Sequence, residues 1–184
     1  MTMNIGGYQL GQVFHIGARG PLWRTQSSAG EALFALRSSS DGERSLERWK
    51  AWASLTSRHV VALRDVVRSD DGRWGIVQDF VYGRPLDVEI GSADLRPKAT
   101  RRQIIEGISA GLSALHRVGI VHGDLTPANI MITPQGRAVI IDLIDEIEEG
   151  QGTPGWSLDT TGNDGGPAVL ASNSLASPDG RSPG

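Results

Sequence analysis

His122-Gly123-Asp124-Leu125-Thr126-Pro127-Ala128-Asn129 is followed, one hairpin later, by Ile140-Ile141-Asp142-Leu143-Ile144. A carboxylate, an amide five residues on and a second carboxylate beyond the hairpin are all oxygen-bearing groups. Such groups can hold a hydroxyl and hard cations such as magnesium. Taken singly, each has a plainer use: Asp124 as a loop brace, Asn129 as a turn residue satisfying backbone groups, Asp142 as a strand-end turn former. Their spacing, around one hairpin and after one amphipathic helix, is what makes them informative together.

Upstream of this stretch, Ile104, Ile105, Ile108, Leu112, Leu115 and Val118 recur at helical spacing from Thr100 onward, and Gly119 stops the run. Downstream, Ile130-Met131-Ile132 and Ala138-Val139-Ile140-Ile141 predict a hairpin around Pro134-Gln135-Gly136. Further back, three strands are expected between Tyr8 and Arg37. The first runs from Tyr8 to Ile16, the second starts at Leu22 after the Gly17-Ala18-Arg19-Gly20-Pro21 turn, and Ala32 to Arg37 forms the third. The glycine turn suits backbone N–H groups laid over phosphates, and equally an ordinary hairpin.

Ser40 to Glu43 has the pattern of a capping box, and Leu46, Trp49, Trp52 or Ala53, and Leu55 follow on one helical face, with the tryptophans expected in the core. Val60 to Val67 and Trp74 to Phe80 predict two more strands around Ser69-Asp70-Asp71-Gly72. Val81 to Leu86 breaks the pattern in the manner of a link between lobes.

The 184 residues carry a net charge of -3, so no basic field points to nucleic acid. Cysteine is absent, which excludes disulfides and thiolate metal sites. No apolar run approaches the ~20 residues of a membrane-spanning helix, and the expected location is cytoplasmic. From Ser157 to Gly184 the chain is rich in Gly, Ser, Pro, Asn and Asp, and a disordered tail is expected there.

Five strands with a helix after the third, then a helix, a polar loop and a hairpin, form an order that resembles the protein-kinase superfamily. The likeness is specifically to bacterial serine/threonine kinases of the eukaryotic-like type. The resemblance covers Tyr8 to Trp156. His122-Gly123-Asp124 stands where that family has His-Arg-Asp, and Gly152-Thr153-Pro154-Gly155-Trp156 resembles the close of its activation segment.

The resemblance implies an α+β fold: a five-stranded antiparallel N-lobe with one helix (8–80), a hinge (81–86) and a partial helical C-lobe (87–156). It implies ATP and Mg2+ as cofactors and a protein substrate or partner. It also implies that Asp124 orients the substrate hydroxyl and accepts its proton, that Asn129 and Asp142 hold magnesium, and that Gly17, Gly20 and Arg37 face the nucleotide phosphates.

Departures from the family pattern are equally specific. Arg37 replaces the strand lysine that pairs with the nucleotide phosphates, and arginine keeps the charge without the point-charge geometry. Lysine occurs only at Lys50 and Lys98. Arg48 stands where the ion-pairing glutamate belongs, with Glu47 about 100° around the helix. Arg19 and Leu22 fall where the loop pattern has glycine, Asp142-Leu143-Ile144 replaces Asp-Phe-Gly, and Ser157-Leu158-Asp159 replaces Ala-Pro-Glu.

Two alternatives to an active protein kinase therefore stand: a truncated, partly degenerate pseudokinase that scaffolds a partner, and a small atypical or small-molecule kinase. With the lower C-lobe missing, the apolar face of the 104–118 helix is expected to be exposed and to drive self-association.

Overall fold

The computed structural model describes residues 3–17, 20–91 and 98–144, all within one compact unit, Met1–Thr153. The expected tail, the Gly152–Trp156 segment and Arg19 lie outside the described residues.

The chain opens with a hairpin absent from the sequence reading, which begins at Tyr8 and runs the second strand of this hairpin together with the strand after it. Strands β1 (Met3–Ile5) and β2 (Tyr8–Leu10) pair around Gly6 and Gly7, both at positive φ. The hairpin buries Ile5 and Leu10 against Ala32, Phe34 and Val77. Gly11 and Gln12 then separate it from β3 (Val13–Gly17). Gly11 donates to the Arg24 carbonyl at 2.7 Å, and a Cβ at Gly11 would sit 3.0 Å from that oxygen.

The main sheet is antiparallel and five-stranded. It comprises β3, β4 (Gly20–Ser27), β5 (Gly30–Arg37), β6 (Leu63–Arg68) and β7 (Trp74–Asp79), in the order β3-β4-β5-β7-β6. The central strand β5 is covered on both faces, not half-buried as the alternation read in its sequence suggests, with Ala32, Phe34 and Ala35 buried outright.

Helix α1 (Ser39–Ala53) follows β5 and starts earlier than the capping-box pattern suggests: Ser38 is the N-cap, its side chain accepting from the Asp41 amide at 3.1 Å. Serine there satisfies one of the orphan N–H groups of the first turn. Both tryptophans of α1 are core residues with their indole N–H groups paired, Trp49 to the Ile144 carbonyl and Trp52 to the Val61 carbonyl, each at 2.7 Å.

After β7 the chain forms a two-residue strand β8 (Arg84–Pro85), a short helix α2 (Leu86–Gly91) and the long helix α3 (Lys98–Arg117). A 3-10 turn at Pro127–Asn129 leads into β9 (Ile130–Ile132), which pairs with β8 on one side and β10 (Ala138–Ile140) on the other. Among the described residues no helix is long and apolar enough to cross a membrane.

The link between α1 and β6 zips the sheet to this second half. The amide of Ile140 donates to the His59 carbonyl and the amide of Val61 to the Ile140 carbonyl, both at 2.9 Å. Glycine makes the third layer possible. A Cβ at Gly111 of α3 would lie 2.8 Å from both the His59 carbonyl oxygen and Ile140 Cδ1, so α3 sits closer to the strand than a side chain permits.

The apolar stripe of α3 is largely covered within the chain, contrary to the expectation that it would be left bare. Ile104 packs with Ile130, Ile132 and Ala138, and Leu115 is fully buried in the main core. The β9–β10 hairpin supplies most of the cover that the expectation assigned to further helices. What remains exposed near this face is Ile105, at 64 %.

Candidate functional site

Between the sheet and the β8–β9–β10 layer lies a cavity of about 710 Å³. Gly17 and Gly20 border it from the β3–β4 turn, Arg37 from the end of β5, Asp124 and Asn129 from the polar loop, and Asp142 from the segment after β10. All six residues singled out from the sequence therefore meet at one cavity, although they are spread from 17 to 142. Its remaining wall is mostly apolar, with Leu22 and Leu33 from the sheet and Met131 and Ile141 from the other layer. The link Asp79–Val81 and Gly83 form one edge.

The polar loop is held from within. Asn129 Nδ2 donates to the Asp124 carbonyl at 2.8 Å, and the Ile141 amide donates to the Asn129 carbonyl at 3.0 Å. The plain use anticipated for Asn129, satisfying a backbone group of the turn, is thus met, and it commits the amide nitrogen while leaving the side-chain carbonyl oxygen to face a cation. Gly123, at φ 82°, provides the left-handed backbone just before Asp124. His122 is buried beneath, 4 % exposed, and its Nε2 bonds the Ile141 carbonyl at 2.8 Å.

Asp142 is the one non-glycine residue at positive φ among the described residues, at 66°. The left-handed region costs an L-residue about 1 kcal/mol, least for Asp and Asn, whose short polar side chains bond locally. A conformation of this kind persists only where its surroundings over-determine it. The surroundings here do: His122 holds the carbonyl of Ile141, Arg48 Nε that of Leu143 at 3.2 Å, and Trp49 Nε1 that of Ile144. Sequence reasoning missed this role of Arg48 and Trp49, because it depends on contacts 95 residues apart.

The donor set suits magnesium by its chemistry. One carboxylate and one amide oxygen, hard donors beside an open cavity, match an ion that keeps waters and substrate phosphates in its remaining positions. Among the described residues no group of three or more His, Cys, Asp or Glu could hold a metal ion.

Arg37 is 8 % exposed at the cavity wall, with Nη1 donating to the Leu36 carbonyl at 2.9 Å. At the mouth, the Arg24 guanidinium lies 4.7 Å from the Phe80 ring centre and 5.2 Å from that of Phe14. Glu31 ties this cluster together by accepting from both Arg24 and Tyr82 Oη. That bond, then burial, pushes the Tyr82 phenol above its ordinary value.

Comparison with known proteins agrees with this architecture. The model of the protein kinase domain matches residues 32–147. The serine/threonine-protein kinase PkaB of Streptomyces coelicolor is 31% identical over 144 residues, covering 74% of this chain and 34% of the relative. The serine/threonine-protein kinase PknA of Mycobacterium tuberculosis is 30% identical over 150 residues, covering 74% and 35%. PknA of Corynebacterium glutamicum is 27% identical over 147 residues. The chain spans about a third of the length of these relatives. With the family model covering more than half of the chain, including Arg37, the polar loop and Asp142, the chain belongs to the protein kinase domain family.

Proposed function

We propose that the chain transfers the terminal phosphoryl group of ATP to a serine or threonine hydroxyl of a protein. The observation that carries this reading is the convergence of Gly17, Gly20, Arg37, Asp124, Asn129 and Asp142 on one cavity. In this reading residues 8–80 are the N-lobe, 81–86 the hinge and 87–156 part of the C-lobe. The apolar walls around Leu22 and Met131 take the base.

Asp124 orients the hydroxyl and accepts its proton as the hydroxyl oxygen bonds to phosphorus and the bond to the bridging oxygen of ADP breaks. Asn129 and Asp142 are the candidate magnesium ligands. Magnesium, when bound, supplies positive charge that offsets the charge on the transferred group. Arg37 places a second cation at the phosphate side of the cavity. The reaction needs ATP, so the cytoplasm is the compartment this reading requires.

A second reading has its own observation: positions 37 and 48 are both arginine, so the lysine–glutamate pair of the family cannot form. In that reading the chain is a pseudokinase that retains the cavity and acts by binding a protein partner or a second copy, with exposed Ile105 and Val121 as contact residues.

Transfer from labelled ATP with magnesium to a generic protein acceptor, by wild type and by Asp124→Ala, separates the two. Signal in wild type that Asp124→Ala abolishes supports transfer. No wild-type signal, with a nucleotide-dependent thermal shift retained, supports the pseudokinase.

A further inference from the structure

We propose that Arg48 is a positioning residue for Asp142, a strut from α1 that fixes the metal-binding turn by donating hydrogen bonds to backbone carbonyls. This rests on the reading of Asp142 as a magnesium ligand.

The guanidinium of Arg48 spans two loops. Its Nε donates to the Leu143 carbonyl at 3.2 Å, one residue after Asp142, and its Nη1 to the Val121 carbonyl at 2.9 Å, immediately before His122. The neighbouring Trp49 adds a bond to the Ile144 carbonyl at 2.7 Å. From the opposite side His122 bonds the Ile141 carbonyl at 2.8 Å. The carbonyls of residues 141, 143 and 144 are thus each held by a side chain, and Asp142 sits between them at φ 66°.

The chemistry of these partners explains why position 48 is a cation. The groups bonded by its Nε and Nη1 are carbonyl oxygens, which only accept. A glutamate would set its own lone pairs against them and leave all of them unpaired in a half-buried place. Arginine presents rigid, divergent N–H groups, so one side chain reaches two acceptors on separate segments, which a compact ammonium does less well. Arg48 therefore replaces an ion pair directed at the nucleotide side with a clamp directed at the metal side. It joins α1 to the loop of Asp124 and to the turn of Asp142 at once.

The test uses the full chain as wild type, Arg48→Met and Arg48→Lys, with two readouts. The first is ADP affinity by calorimetry with and without magnesium. The second is amide hydrogen exchange of the peptide spanning Ile141–Ile144 without nucleotide. Loss of charge-assisted bonds of this kind is expected to reduce the magnesium-dependent gain in ADP affinity about tenfold in Arg48→Met. Metal-free ADP affinity should change less than about twofold, and exchange in the 141–144 peptide should quicken about tenfold or more. Arg48→Lys should fall between.

Unchanged exchange in Arg48→Met overturns the strut. Parallel losses with and without magnesium also overturn it, because they mark a general structural role. A wild-type chain whose ADP affinity ignores magnesium overturns the metal reading of Asp142 instead. The exchange result then decides separately whether Arg48 holds the turn.

Discussion

His122 Nε2 bonds the carbonyl of Ile141 across 2.8 Å, tying the loop that carries Asp124 to the residue just before Asp142. The contact joins two segments that the β9–β10 hairpin separates, and the ring that makes it is buried. The acceptor is a carbonyl, so the ring carries its proton on Nε2. His122→Phe fills the same space without the donor and leaves a part-buried carbonyl without this bond. It should cost about 1–3 kcal/mol of stability by urea unfolding. The variant should also weaken any magnesium-dependent nucleotide shift more than the metal-free one.

Asp142 permits a separation of backbone strain from metal binding. Asn tolerates the left-handed region nearly as well as Asp, whereas Ala does not, and Gly adopts it freely. Asp142→Asn and Asp142→Gly should therefore unfold within about 1 kcal/mol of wild type, and Asp142→Ala should be the least stable of the three by roughly that amount. All three should lose the magnesium-dependent part of ADP binding. Thermal unfolding and calorimetry on the same four proteins would show the two orders. Full magnesium dependence in Asp142→Asn would remove Asp142 from the metal site.

The helix periodicity of Ile104 to Val118 made α3 legible because it follows from which face is buried, whereas the apolar residues of Ala32 to Arg37 located β5 without revealing that both its faces are covered. Asp124, Asn129 and Asp142 were legible as a set because loop and hairpin keep them near in sequence. The early hairpin was not: Gly6-Gly7 lies in a short polar N-terminal stretch, and Ile5 shows itself as core only through Phe34 and Val77. Nor was the function of Arg48. Local sequence presents it as a lost glutamate, and only the carbonyls of Val121 and Leu143 explain a donor there.

Gly42 of α1 sets a second limit on the helix, through contact rather than conformation. An alanine normally stabilises a helix interior over glycine by up to about 1 kcal/mol. Here the added Cβ would lie 1.8 Å from Trp74 Cδ1. The indole is held by the Trp49 ring at 6.1 Å between centres and by the Arg68 guanidinium at 4.8 Å. Overpacking should win, and Gly42→Ala should lose about 1–3 kcal/mol. In a Trp74→Leu background the same substitution should cost much less, a coupling that a double-mutant cycle by denaturant unfolding measures directly.

Tyr8 gives the fold a pH dependence at the alkaline end. Its hydroxyl donates to Asp65 Oδ2 at 2.9 Å, linking β2 to β6. Burial, followed by the Asp65 hydrogen bond and the Asp65 charge, holds the phenol above its ordinary value. The folded chain thus keeps this proton to higher pH than the unfolded chain does. The stabilisation is fully present below the unfolded value of about 10 and is lost as pH rises through the higher folded value. Tyr8→Phe removes both the bond and the titration. It should be less stable than wild type at about pH 8, and its stability should fall less steeply towards about pH 11. Urea midpoints of the two proteins across that range make the comparison, and parallel curves would show that the Tyr8–Asp65 contact does not form in solution.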